Sequence, residues 1–297
     1  MLNKNSETFI ACDAPYADAK IAMFGAGSDS TTSFRPGARF APKYMRAESY
    51  GMETFSPYQN RDMADCLIID TGDLDLPFGD SESALKLIQE RAEKILSDGK
   101  LPFMMGGEHL VSLGAVRACA KKYPDLRIVH FDAHADLRSD YLGVKLSHAC
   151  VMRRCHEKTV QALLKSAFTG EIGDGRIFQF GIRSGDRAEF EWGAEHVCTT
   201  RFGFSGIENL AEKIGRAPVY FSIDLDVLDP SVFPGTGTPE AGGVSFEQLR
   251  EACACVCKSL NVVACDVVEL APHYDPSGIS VAAAVKITRE LLLNLHK

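Results

Sequence analysis

RIVHFDAHAD, residues 127–136, holds two kinds of chain back to back. Arg127 to Phe131 is a short run of apolar and β-branched residues, of a length and composition suited to a buried strand. At Asp132 the sequence turns polar, and a carboxylate, an imidazole and a second carboxylate then occupy alternate positions: Asp132, His134 and Asp136. Side chains two apart in extended chain face the same way, so these three are expected to converge. A bland core strand has no reason to carry three ligand-type groups on one face.

Outward from this stretch, comparable runs recur at Ile21 to Phe24, Cys66 to Ile69, Leu101 to Met105, Ile177 to Ile182, Val219 to Ile223 and Val262 to Val268. Between them lie patterns of helical period. The clearest is Ala84 to Leu96, where Ala84, Leu85, Ile88, Ala92, Ile95 and Leu96 share a face, with Ser81 as expected cap and Gly99 as stop. Leu110 to Lys121, Thr159 to Lys165, Phe246 to Ser259 and Val281 to Leu295 are further helices. Alternating strands and helices predict one mostly parallel α/β sheet, because parallel strands need long crossovers. Gly25 to Pro42 and Asp229 to Gly243, rich in Gly and Pro, each follow a strand, where ligand-binding loops of α/β sheets sit. Without repeats or a flexible linker, residues 1–297 are expected to form a single domain.

The 297 residues, 45% of them apolar, suffice for a large core. A net charge of -8 and no basic stripe exclude nucleic acid as a partner and suit a small cation. The ten cysteines include no CxxC pair and read as reduced thiols. No run reaches the roughly 20 apolar residues of a membrane span. Met1 to Cys12, polar and containing Lys4, lacks the apolar core of a signal peptide. A cytoplasmic protein is expected.

Two other strand ends carry the same chemistry. Gly106, Gly107, Glu108 and His109 follow the run ending in Met105, and Val219 to Ile223 leads into Asp224 and Asp226. Aspartates gathered at the ends of apolar strands would repel one another and resist desolvation by roughly several kcal/mol per ion. Divalent cations among them remove both penalties, and His109 and His134 add neutral nitrogen ligands. Carboxylate and imidazole without thiolate favour manganese on ligand softness. Six ligands suit two ions roughly 3.5 to 4 Å apart.

The segments GGEH at 106–109, FDAHAD at 131–136 and SIDLDVLDP at 222–230 resemble the three signature motifs of the ureohydrolase family, which includes arginases, agmatinases, guanidinobutyrases and formimidoylglutamases. The likeness extends from FRPGARFAP at 34–42 to DVVELAP at 266–272, closest to the bacterial agmatinases. It implies a three-layer α/β/α fold of the arginase type and two Mn2+ per subunit. Asp132 and Asp224 would bridge the ions, with His109 and Asp136 completing one site and His134 and Asp226 the other. It further implies hydrolysis of a small cationic guanidino compound to urea and an amine by a hydroxide shared between the ions. His148 resembles the family's proton shuttle, Glu269 the carboxylate that receives the guanidinium, and the assembly would be a trimer or hexamer.

Agmatine, yielding putrescine for polyamine biosynthesis, is the expected substrate. Leu137 to Gly143 lacks the Asn-Thr-Pro signature with which arginases receive an α-carboxylate, and GTGTPE at 235–240 resembles agmatinases. Asp186 and Glu189, after the GIRS strand end at 181–184, resemble positions that meet the substrate amine. Arg138 would oppose an amine unless paired, with Asp140 the expected partner. If it faces the substrate instead, 4-guanidinobutyrate gains. Cys253, Cys255 and Cys257 cannot share one face of a helix and are expected in the core. His130, His156, His196, His273 and His296 have no ligand spacing. A binuclear phosphoesterase, disfavoured by the lack of clustered Arg and Lys, and a non-catalytic homologue are the competing classes.

Overall fold

Each run that leads into ligand-type residues forms a strand of one parallel sheet in the computed structural model, which describes residues 7–165 and 175–297. Residues 1–6 of the polar start, Lys4 included, lie outside the described residues. In chain order come β1 (Ile21–Ala26), α1 (Ala41–Ser49), the short pair β2 (Phe55–Ser56) and β3 (Arg61–Asp62), β4 (Ile68–Asp73), α2 (Ser81–Ser97), β5 (Leu101–Gly106) and α3 (Ser112–Lys122). They are followed by β6 (Arg127–Phe131), α4 (Val151–Lys165), β7 (Ile177–Ile182), α5 (Arg187–His196), β8 (Cys198–Arg201), α6 (Leu210–Ile214), β9 (Pro218–Asp224), α7 (Phe246–Ser259), β10 (Asn261–Val268) and α8 (Ile279–Leu295).

The sheet has the order β4-β1-β5-β10-β9-β6-β7-β8, and its pairings are parallel. Helices α1, α7 and α8 cover one face and α2, α3 and α4 the other, giving the expected three layers. Alternation along the strands feeds both cores: Val129 and Phe131 of β6 pack on the first face, Ile128 on the second. Burial on both faces is why these strands read as unbroken apolar runs. The sheet order makes β5, β10, β9 and β6 consecutive neighbours. Parallel strands share one carboxyl end, so the segments following these four meet at one rim.

Several boundaries differ from expectation. Asp80, not Ser81, caps α2, its side chain accepting the Ser83 amide; both residues suit the position, and the aspartate adds its charge to the positive end of the helix. Helix α4 begins at Val151 rather than Thr159, directly after a short 3-10 turn at His148–Cys150. The edge strand β8 has no signature in the sequence, because its residues Cys198, Thr199, Thr200 and Arg201 are polar or exposed and carry no apolar run. Cys253 and Cys257 are buried on α7 and Cys255 partly so, as expected of core residues. Gly107 is required where it stands: a Cβ there would lie 1.9 Å from the Ser28 carbonyl oxygen. Among the described residues no helix is long and apolar enough to cross a membrane.

Candidate metal centre

Asp132, His134, Asp136, His109, Asp224 and Asp226 come together at the shared rim, but strand alternation is only part of the reason. β6 ends at Phe131, so Asp132 to Asp136 are loop, and Asp136 takes a left-handed backbone with φ 55°. Asp224 ends β9, and a 3-10 turn over Leu225–Val227 carries Asp226 back so that its amide donates to Asp224 Oδ1 at 2.9 Å. His109 opens a similar turn after β5. Glu269, one residue past β10, has φ 64°, and Oε1 of its carboxylate accepts the His109 amide at 2.8 Å. Left-handed backbone at a residue other than glycine costs about 1–3 kcal/mol and persists where surrounding contacts enforce it, often at functional sites.

The geometry divides the ligand-type atoms into two groups that share Asp132. His109 Nδ1 lies 3.1 Å from Asp132 Oδ2, 3.3 Å from Asp136 Oδ2 and 3.2 Å from Asp224 Oδ2. His134 Nδ1 lies 3.0 Å from Asp226 Oδ2 and 3.5 Å from Asp132 Oδ1. Adjacent ligands of an octahedral ion bound at roughly 2.1 Å stand about 3 Å apart, so the spacing fits hard divalent cations. Among the described residues, no lysine or arginine forms an ion pair with the carboxylates of these aspartates.

Tautomers follow from the hydrogen bonds behind the cluster. Ser222 donates its hydroxyl hydrogen to Asp266 Oδ1 at 2.7 Å, so its oxygen accepts from His109 Nε2 at 2.9 Å. Tyr220 donates to the other oxygen of Asp266. A neutral His109 therefore turns a bare Nδ1 toward three carboxylate oxygens, an arrangement that only a cation, proton or metal, can hold. Gln179 is oriented by Thr199, which donates to its Oε1 at 3.0 Å, and its amide donates to His130 Nδ1 at 3.1 Å. His130 Nε2–H then donates to Asp132 Oδ2 at 2.8 Å. His130, read from spacing as unconnected, is thus a buried support of Asp132; its position two residues before Asp132, in the same strand phase, was the available signal. Ser222 stands in the same relation to Asp224.

Burial, then repulsion from Asp132, pushes Asp136 up to about 7. Burial, then Asp226 and Asp132, holds Asp224 well above the usual carboxylate range. Burial, then Glu108 and Asp226, does the same to Glu269. Burial disfavours protonation of His109 and His134, but their carboxylate neighbours raise both well above the ordinary imidazole value. A cluster shifted in these directions binds either protons or metal.

Above it opens a cleft of about 230 Å³ whose lining includes Asp136, Asp224, Glu269, His148, Asp186, Glu189 and Arg138. Burial holds His148 down to about 4, and its ring makes long polar contacts, 3.5 Å to Ser33 Oγ and 3.4 Å to Ser147 Oγ. Arg138 does not pair with Asp140, which instead accepts from Ser139. Its guanidinium meets Glu189 at 3.2 Å and Asp186 at 3.4 Å, and it lies over the Tyr141 ring. The reason is the start of α5: Asp186 and Glu189 form a reciprocal capping box that fixes both carboxylates beside Leu137 and Arg138. Glu189 also accepts the amides of Leu137 at 3.0 Å and Asp186 at 2.8 Å, so its oxygens are engaged. Asp186 is the more open of the pair.

The Arginase family model matches residues 19–294. An agmatinase of Bacillus subtilis is 43% identical over 99% of this chain and 98% of its own length. A crystal structure from Clostridium difficile superposes with a TM-score of 0.88 at 45% identity, covering 95% of this chain and 99% of that one. The agmatine ureohydrolase of Thermoplasma volcanium gives 0.85 at 32% identity, over 98% and 94%. With the motifs, the sheet order and the rim cluster all in one chain, this protein belongs to the arginase family of ureohydrolases.

Proposed function

We propose that the chain, working as one domain, hydrolyses agmatine to putrescine and urea with two Mn2+ per subunit. Asp132, His109, Asp136, Asp224, His134 and Asp226 would hold the ions. The observation that carries the reading is His109 Nδ1 within 3.1 to 3.3 Å of three carboxylate oxygens, a site only a cation can fill, beside a cleft lined by Glu269. When bound, a pair of divalent ions supplies Lewis acidity and lowers the pKa of water to near neutrality.

The chain's own residues supply the rest. Glu269 keeps Oε1 on the His109 amide and has Oε2 to receive a guanidinium N–H. His148, neutral near pH 7, takes the proton given up by the attacking water and delivers it to the departing amine. At the far end, two carboxylates against one guanidinium leave a net negative charge, which suits the free amine of agmatine, with Asp186 the open partner and Glu189 its support. Because Arg138 also lines the cleft, a carboxylate-tailed substrate such as 4-guanidinobutyrate is the second reading. A cytoplasmic homo-oligomer, trimer or hexamer, is part of the same proposal. Exposed Phe34, Phe78 and Phe202 offer apolar area for assembly, and the buried thiols of Cys12, Cys119, Cys155, Cys253, Cys257 and Cys265 suit a reducing compartment.

Urea release with manganese is expected to be fastest on agmatine, ahead of 4-guanidinobutyrate and arginine, with no formamide from formimidoylglutamate. Faster turnover of guanidinobutyrate would install the second reading, and activity on none would sink both. Proton competition makes metal retention depend on pH. Since burial and Asp132 push Asp136 up to about 7 and Asp224, His109 and His134 are all raised, manganese content should fall as pH drops below about 7. Metal analysis after dialysis from about pH 8 to about pH 5 measures this; unchanged content across that range would contradict the assigned ligands.

A further inference from the structure

Glu108 stands between the Gly106–Gly107 turn and His109, is 1% exposed, and has no lysine or arginine partner among the described residues. Its carboxylate instead accepts the Thr31 amide at 3.1 Å on each oxygen, the Thr31 hydroxyl at 2.7 Å and the Thr32 hydroxyl at 3.3 Å. The Thr31 hydroxyl has one hydrogen, which Glu108 takes, and its oxygen accepts the His148 amide at 3.1 Å. The Glu108 amide holds the same loop from the other side by donating to the Ser28 carbonyl at 2.7 Å. Among the described residues the polar contacts of the His148 imidazole are two long approaches to serine oxygens, and the Tyr141 ring meets it edge-on, centroids 5.8 Å apart. The ring's place in the cleft is therefore set by its backbone, and that backbone is tied through Thr31 to Glu108.

We propose that Glu108 and Thr31 are positioning residues for the proton-carrying His148, an inference that rests on the role given to His148 above. Glutamate suits the post because a carboxylate accepts, and each group hydrogen-bonded to it here donates. Glutamine would turn an N–H2 toward those donors. A displacement of about 1 Å at a reacting group can cost roughly 10²-fold in rate. Thr31→Val keeps the shape and removes the hydroxyl; Thr31→Ser keeps the hydroxyl.

In the manganese-loaded enzyme with agmatine, Thr31→Val should lower kcat by roughly 10- to 100-fold with KM and metal content little changed, and Thr31→Ser should stay close to the parent. The imidazole resonance of His148, identified by its loss in His148→Asn, should move in Thr31→Val and return in Thr31→Ser. Adding Thr31→Val to His148→Asn should cost nothing further, because the group being placed is gone. Parental kcat in Thr31→Val, or the same loss in the His148→Asn background, would overturn the positioning role. If His148→Asn itself turns over normally, the proton-carrier reading fails, and the positioning proposal with it. Impaired His148→Asn beside normal Thr31→Val removes the positioning proposal alone.

Discussion

Asp132→Asn is expected to abolish manganese-dependent hydrolysis while the chain still folds. Asp132 is fully buried, with Oδ2 facing His109 and His130 and Oδ1 facing His134 and its amide. Both oxygens are acceptors in this arrangement, so an amide –NH2 must face a donor on one side or the other. The near-isosteric change opens no cavity, so the chain still folds, at reduced stability: Asp132 is held well below the usual carboxylate range, against the effect of its burial, by His130, His109 and His134, and the amide gives up those charge interactions. Removal of a supporting partner of a ligand costs roughly 10- to 100-fold in metal affinity or activity. Loss of a shared ligand should exceed that. The same change should erase stabilisation by metal, which for the parent amounts to about 2.7 kcal/mol at a hundredfold excess over Kd. Thermal unfolding with and without manganese, metal analysis and turnover together test it; a variant with parental metal content and rate would remove Asp132 from the centre.

His148→Asn is expected to lower kcat by roughly 10²- to 10⁴-fold, the range for loss of a general acid–base group, with both metals retained. The ring is not among the atoms that crowd His109 Nδ1 and His134 Nδ1, so its removal leaves the ligand set whole. Burial keeps it down to about 4, and it therefore begins the cycle neutral and able to accept a proton. An enzyme that loses metal on this substitution would contradict the role, as would one that keeps its rate. The two substitutions thus separate by metal content: Asp132→Asn loses binding and chemistry together, His148→Asn the chemistry alone.

Much of the centre was legible because its signals are local. An apolar run that stops at a carboxylate is visible in ten residues, and Asp132, His134, Asp136, Asp224 and Asp226 all announce themselves this way. Less legible were the residues whose meaning depends on a partner far along the chain. His130 reads as one more core histidine until Gln179 of β7 turns its Nδ1 into an acceptor. Glu108 reads as part of a tight turn until the loop after β1 wraps over it. The expected Arg138–Asp140 pair fails for the same reason: its actual partners stand at the start of α5, after β7.

Residue order alone determined where the strands end, which of them carry hard ligands, and that cations must join so many desolvated carboxylates; each rests on interactions a few residues long or on the cost of burying charge. Tertiary structure decided that β5, β10, β9 and β6 lie side by side, which nitrogens of His109 and His130 donate, and which acids neutralise Arg138. Strand order is chosen by burying both faces of the sheet beneath helices distant in sequence. A hydrogen bond's direction depends on the group at its other end, and no local pattern records either.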